Sequence, residues 1–284
     1  MISKLAGIIL LLVISFQGCA ESSNIEDTAF LWLEYGKKIN ETNGSVTQTV
    51  YLKSSSDSLT IADIKNLTAF YCDGRQKGEK QYYIIPIEQK DGLYFLSVNT
   101  STQFLYHVYV TGTCAQEHFT AQIAFPLYGD GLDKNIKKEP VLLESSKTFT
   151  SIDLVSAGNF PWAQTGQTFQ FLYKPIHPSS YPVQEMKLID IGKKSYEKLM
   201  PGDDGRFSFT PPHDQRLDDG GYHEYKEIIL YTEEFVGNEV YKTSMNLLLR
   251  RSLSAHNNLT LGLCFFFAVM AVISGVVLFR RRSF

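Results

Sequence analysis

Between residues 30 and 125, apolar and polar positions alternate in seven short runs separated by turn-forming residues. The runs are 30–35, 46–52, 67–72, 81–87, 93–98, 105–111 and 118–125. A period of two with β-branched and aromatic enrichment predicts strands that each turn one face to a core. The stretch "YGDGLDKNIKKEP", residues 128–140, is charged and glycine-bearing and reads as a linker. A second series of seven follows it, at 151–155, 168–173, 183–191, 195–199, 206–210, 227–232 and 239–249. Helical periodicity is scarce throughout this body.

The two series match in order as well as in number. "GSVTQTVYLK" pairs with "GQTFQFLYK", and "LTIADIKNLTAFY" pairs with "YPVQEMKLIDIG". "IIPIEQKDGLYFLSV" pairs with "EKLMPGDDGRFSFTP", each setting an Asp-Gly turn before an aromatic strand. The last two strands of each series pair likewise. The pattern predicts an all-β body of two tandem immunoglobulin-like β-sandwich modules, at 21–128 and 141–250, joined by the linker 129–140. A cut within 132–140 is then expected to leave two folded fragments, provided the interface between them is not large and apolar.

At "PGDDGRFSFTPP" the second copy resembles the carboxypeptidase-regulatory-like modules of bacterial surface and periplasmic proteins, in which a D-G-x-F-x-F-x-x-P strand recurs. The resemblance covers about a dozen residues and implies a β-sandwich of an envelope protein. Some accessory proteins of nickel and cobalt uptake carry such modules beside one membrane helix. Metal-binding members show a His near the mature start, whereas "ESSNIEDTAF" has none.

The ends of the sequence predict its topology. Residues 1–20 carry one Lys, an apolar run and then small residues, which suits a signal peptide cut before Glu21. A lipidated Cys19 is the alternative. Residues 259–279 hold no charge over twenty-one positions, enough for a helix to cross a hydrocarbon core of about 30 Å. Arg280, Arg281 and Arg282 follow directly, and the positive-inside preference puts 280–284 in the cytoplasm. The expected protein is a single-pass membrane protein whose body lies outside the cytoplasm, periplasmic or at the cell surface.

Net charge narrows the partners. The chain is −3 overall, and setting aside Lys4 and the three terminal arginines leaves about −7 on the body. That balance excludes nucleic acid and anionic lipid as expected partners, leaving other membrane or envelope proteins. Cys264 lies in the apolar run, so Cys72 and Cys114 are the cysteines of the exported body, and a disulfide between them is expected.

Candidate chemistry is sparse. "TPPHDQRLDDGGYHEY", residues 210–225, gathers His213, Asp214, Asp218, Asp219, His223 and Glu224, a donor set that would suit zinc or nickel. Pro211, Pro212, Gly220 and Gly221 make the same stretch a lengthened polar connection between strands, which is the expected reading. A periplasmic divalent-metal-binding protein is the alternative function. Trp162, in "NFPWAQTGQ", is either a binding anchor or a seal over a sandwich end. No nucleophile-elbow, zinc-protease, dinucleotide or P-loop motif occurs. His107 lies in an alternating strand and is expected to pack there. Asn-x-Ser/Thr acceptors stand at Asn40, Asn43, Asn66, Asn99 and Asn258. The sequence therefore predicts a non-catalytic binding or accessory protein with no cofactor.

Overall fold

The computed structural model describes residues 23–24, 29–42, 44–73, 82–101, 105–127, 150–156, 163–164, 168–176, 185–192, 194–211, 225–250, 266–267 and 269. In chain order the strands are β1 (Ser23–Asn24), β2 (Leu31–Asn40), β3 (Val46–Ser54), β4 (Lys65–Asp73), β5 (Tyr83–Ile85), β6 (Glu88–Lys90), β7 (Leu93–Thr100), β8 (Leu105–Cys114) and β9 (Glu117–Pro126). They continue as β10 (Ser151–Ser156), β11 (Ala163–Gln164), β12 (Phe169–Lys174), β13 (Met186–Asp190), β14 (Ser195–Leu199), β15 (Phe207–Phe209), β16 (Tyr225–Val236) and β17 (Glu239–Arg250). The body is all-β, and each of the fourteen alternating stretches overlaps a strand. The strands outside that pattern are β1, β6 and β11. They are two or three residues long and hold no apolar alternation, so the edge they pair with defines them.

Three sheets form. A ten-stranded sheet runs β1-β14-β13-β16-β17-β9-β8-β4-β5, with β11 pairing β17 beside this path. A four-stranded sheet runs β2-β3-β7-β6 and a three-stranded one runs β10-β12-β15. Outward from its middle, the large sheet reads β17, β16, β13, β14 on one side and β9, β8, β4, β5 on the other. The middle pair, β17 with β9, is parallel, from Val240↔Glu117 to Asn246↔Ile123.

The two smaller sheets cover opposite faces of the large one. Successive strand residues point to opposite faces. On β17, Met245 and Leu247 pack with Ile152, Phe169, Phe171 and Phe207 of the three-stranded sheet. The intervening Ser244 and Asn246 donate instead to the carbonyls of Leu31 and Leu33 on β2, at 2.5 and 2.7 Å. On β9, Phe119, Ala121, Ile123 and Phe125 enter the core of the four-stranded sheet with Leu33, Val50 and Leu96. Mirrored order, a parallel middle pair and covers on opposite faces are what a pseudo-twofold axis along the strands produces.

Strand β3 shows how alternation builds the core. Val46, Gln48, Val50 and Leu52 point inward while the residues between them are half-buried. Gln48 is tolerated because its amide donates to the carbonyls of Gly36 and Thr49, at 3.0 and 2.8 Å. Gly36 lies where the β2–β3 register shifts, and a Cβ there would stand 2.8 Å from the Thr49 carbonyl oxygen.

The Cys72–Cys114 disulfide is not formed. Cys72 sits opposite His107 on β8, and Cys114 lies seven positions further along that strand. Seven residues of extended chain span roughly 23 Å, whereas a disulfide needs Cα atoms within about 7 Å. Strand register, which cysteine counting does not reveal, keeps the two thiols at opposite ends. Of the apolar run 259–279, Phe266, Phe267 and Val269 are described and are helical. Among the described residues no helix is long and apolar enough to cross a membrane.

Candidate functional site

Two tight turns meet at one end of the large sheet. Each closes a long hairpin: β8–β9 through Ala115 and Gln116, and β16–β17 through Gly237 and Asn238. Gly237 takes φ +62°, which glycine adopts without steric cost. Ala115 takes φ +53°, where its Cβ crowds the backbone. Because β9 and β17 are parallel, both turns fall at the same end. The Val240 N–H donates to the Gln116 carbonyl at 3.0 Å and ties them together.

Aromatic and charged side chains crowd this end. The rings of His118 and Tyr241, opposite each other across the seam, stack at 4.5 Å between centroids. The Tyr241 hydroxyl donates to Glu239 at 2.9 Å, and His118 Nε2 stands 3.5 Å from the same carboxylate oxygen. Lys242 pairs with Glu117 across the seam while its ammonium lies over the Phe119 ring. Phe235, the penultimate residue of β16, is 67% exposed.

Beneath this surface a polar column runs inward on the face covered by the three-stranded sheet. Glu234 is buried and accepts a hydrogen bond from the Tyr173 hydroxyl at 2.7 Å. Below it the hydroxyls of Thr150 and Thr243 lie 2.6 Å apart, and Thr150 donates to Thr120 at 3.3 Å. Gln122 then takes both backbone groups of Ile152 on β10. The column joins residues from both halves of the chain.

Burial sets the ionisation of the phenols around this end. Burial and the neighbouring Glu239 push the Tyr241 phenol up to about 12. Burial also raises Tyr173, with Glu234 adding to it, and Tyr231, with Glu233 adding to it. These phenols stay protonated and act as hydrogen-bond donors; an activated nucleophile would need the opposite displacement. Among the described residues no three His, Cys, Asp or Glu side chains are grouped as a metal site requires.

No family model matches the sequence, and no curated protein sequence matches it. Among solved structures, the chain is similar to fibronectin(III)-like modules of Clostridium thermocellum CbhA, at 6% identity and a TM-score of 0.21, covering 72% of this chain and 86% of that one. It is also similar to the FN1-FN3 domains of chicken CNTN1, at 8% identity and a TM-score of 0.21, covering 78% of this chain and 66% of that one. No functional argument follows from them.

Several expected site residues lie outside the described residues. These are Trp162, Arg280, Arg281 and Arg282, together with the whole set His213, Asp214, Asp218, Asp219, His223 and Glu224. His107 is buried on β8 opposite Cys72. The twin-turn end was not anticipated. Its available signal was a Phe-Val-Gly-Asn sequence between two alternating strands, which announces a turn but not its neighbour.

Glu227 borders the seam on the face covered by β2. Burial holds its carboxyl above the usual 4.5, the Asn246 amide opposes this, and nearby Glu34 adds to it. A raised acid binds its proton more tightly when folded. Its stabilising contribution is therefore full below the ordinary value and is lost as pH rises through the folded one. Melting temperatures between about pH 4 and pH 8 should show wild type losing stability relative to Glu227→Gln as pH rises. Parallel profiles for the two proteins would disprove the assignment.

Proposed function

We propose that this chain is a single-pass, membrane-anchored, extracytoplasmic protein that works by binding, without catalysis, through its twin-turn end. Two tandem immunoglobulin-like modules fused along the β9–β17 seam form its body, a reading supported by the mirrored strand order. The uncharged run 259–279 ahead of Arg280, Arg281 and Arg282 supports the anchor. The expected partners are other membrane or envelope proteins in a transport complex or a recognition event. The resemblance at "PGDDGRFSFTPP" to carboxypeptidase-regulatory-like envelope modules agrees with that setting.

One observation carries the reading. Phe235 stands exposed where turns from both halves converge on a rigid sheet. Loops held by a rigid scaffold are where sandwich proteins place recognition, and aromatic residues supply most of the energy of such contacts. A photoreactive phenylalanine analogue at position 235 of the full chain, in intact cells, tests it. Discrete adducts with membrane or envelope proteins are expected at 235 and not at the exposed turn residue Asp203. Identical adduct patterns at the two positions would overturn the choice of surface.

A further inference from the structure

At the twin-turn end the two faces of the large sheet are chemically unequal. Successive residues along a strand alternate between faces, and residues directly opposite each other share one. The rungs Glu234↔Tyr241, Val236↔Glu239 and Tyr241↔His118 therefore put Glu234, Glu239, Tyr241 and His118 on one face. It is the face that Tyr173 of β12 meets. Lys242 points to the other face, where it lies over Phe119 and pairs with Glu117. On β12, Lys174 is held by Asp153. Near the turns, β9, β16 and β17 thus supply two carboxylates and a ring pair to this face, and no lysine or arginine.

Neither carboxylate is saturated. Glu234 is 3% exposed; Tyr173 donates to its Oε2, whereas Oε1 is shut off from solvent and meets no donor among the described residues. A buried carboxylate short of donors is costly, and a cation drawn to it recovers part of that cost. Glu239 lies closer to the turn, with its side chain 51% exposed. The Tyr241 hydroxyl and His118 Nε2 both meet Oε2 of Glu239, so its Oε1 can take a donor from outside. The His118 side chain is 32% exposed and stacks on Tyr241 with 10° between the ring planes, a flat aromatic wall.

We infer that this face binds the guanidinium of an arginine side chain presented by a partner protein. The uncompensated carboxylates call for a cation, and their spread decides its shape. A metal ion needs ligands converging on one point, and no three His, Cys, Asp or Glu side chains do so among the described residues. A guanidinium is flat, carries its N–H donors in a rigid fork, stacks on aromatic rings and pairs with carboxylates. It can lie against His118 and donate to Glu239, while the buried charge of Glu234 attracts it from beneath. An ammonium has no flat face to stack. The inference rests on the twin-turn end being the binding surface and names the partner's chemistry there. The partner sets an arginine on one face of the β16–β17 hairpin and receives Phe235 on the other.

The probes are labelled tri-arginine, tri-lysine and tri-citrulline peptides, titrated by fluorescence anisotropy onto the full chain in vesicles of uncharged lipid. Tri-arginine should bind about tenfold more tightly than either of the others. Glu239→Gln and His118→Ala should each weaken it about fivefold with unchanged circular dichroism, and Glu88→Gln, on exposed β6, should not. Tri-lysine matching tri-arginine, or Glu88→Gln weakening binding as much as Glu239→Gln, would reduce the site to diffuse negative charge and overturn the inference. Free arginine amide binding as tightly as tri-arginine would overturn the protein partner in favour of a small cationic ligand. In intact cells, Glu239→Gln should also deplete the adducts formed at photoreactive position 235. Adducts at full yield in Glu239→Gln would overturn the arginine site and leave the twin-turn surface standing. Tri-arginine binding that Glu239→Gln weakens, with no adducts at 235, would keep the arginine site and discard Phe235 as an anchor.

Discussion

Replacing Phe30 with alanine is expected to destabilise the protein by about 3–5 kcal/mol, the range for emptying a buried aromatic site. Phe30 is 1% exposed, lies just before β2 and packs on β13 and β16 of the second half. Its ring stands 4.7 Å from that of Tyr231 and 5.8 Å from Trp32, and Ile189 and Ile229 complete the cluster. A first-half residue thus plugs a second-half surface. For a body of this size the cost corresponds to a melting temperature lower by about 10 °C. Phe30→Leu should recover most of the loss. A Phe30→Ala change below about 1 kcal/mol would show that this cluster does not hold the halves together.

Asn246→Leu is expected to cost about 3 kcal/mol, although it places a larger apolar side chain in a buried site. The Asn246 amide donates to the Leu33 carbonyl at 2.7 Å and to the Glu227 carboxylate at 2.8 Å. Leucine would strand the buried Leu33 carbonyl and take one donor from the half-buried Glu227 carboxylate, and an orphaned buried acceptor costs about 1–3 kcal/mol. Ser244→Ala, which loses one bond to Leu31, should cost only about 1 kcal/mol. Chemical denaturation of the single variants, and of Asn246→Leu combined with Phe30→Ala, checks this. Both residues fix β2 on the same surface, so their effects should not add. Additive losses would mean that the two contacts act independently.

The strands were legible because alternation reports a sheet with one face on a core. Runs such as "VTQTVYLK" and "FQFLYK" carry that signal in every second residue. Three strands escaped because Ser23–Asn24, Glu88–Lys90 and Ala163–Gln164 owe their conformation to a neighbouring edge. The seam between the halves was half-legible. Gln122 in "FTAQIAF" and Asn246 in "TSMNLLL" are polar residues in otherwise apolar strands, a sign of a buried polar contact. Nothing in either string names Ile152 or Leu33 as the partner, because register between distant strands is a tertiary property. The same limit produced the expected disulfide. Two cysteines in one compartment suggest a bond, but their places along β4 and β8 forbid it.

The parallel β9–β17 seam also determines how the body would bear load. β17 runs from the twin-turn end at Glu239 towards Arg250, on the side of the chain that leads to the apolar run 259–279. If a partner grips the turns while the membrane holds the other end, tension runs along β17. Where the grip is on the β8–β9 turn, the force passes from β9 to β17 through the hydrogen bonds of the seam, which lie across the pull and are loaded in shear, many rungs together, instead of being peeled apart one by one. Such a body would resist extension between a held ligand and its anchor. A pull that separated Tyr225 from Arg250, the facing ends of the β16–β17 hairpin, would unzip the same hairpin at much lower force.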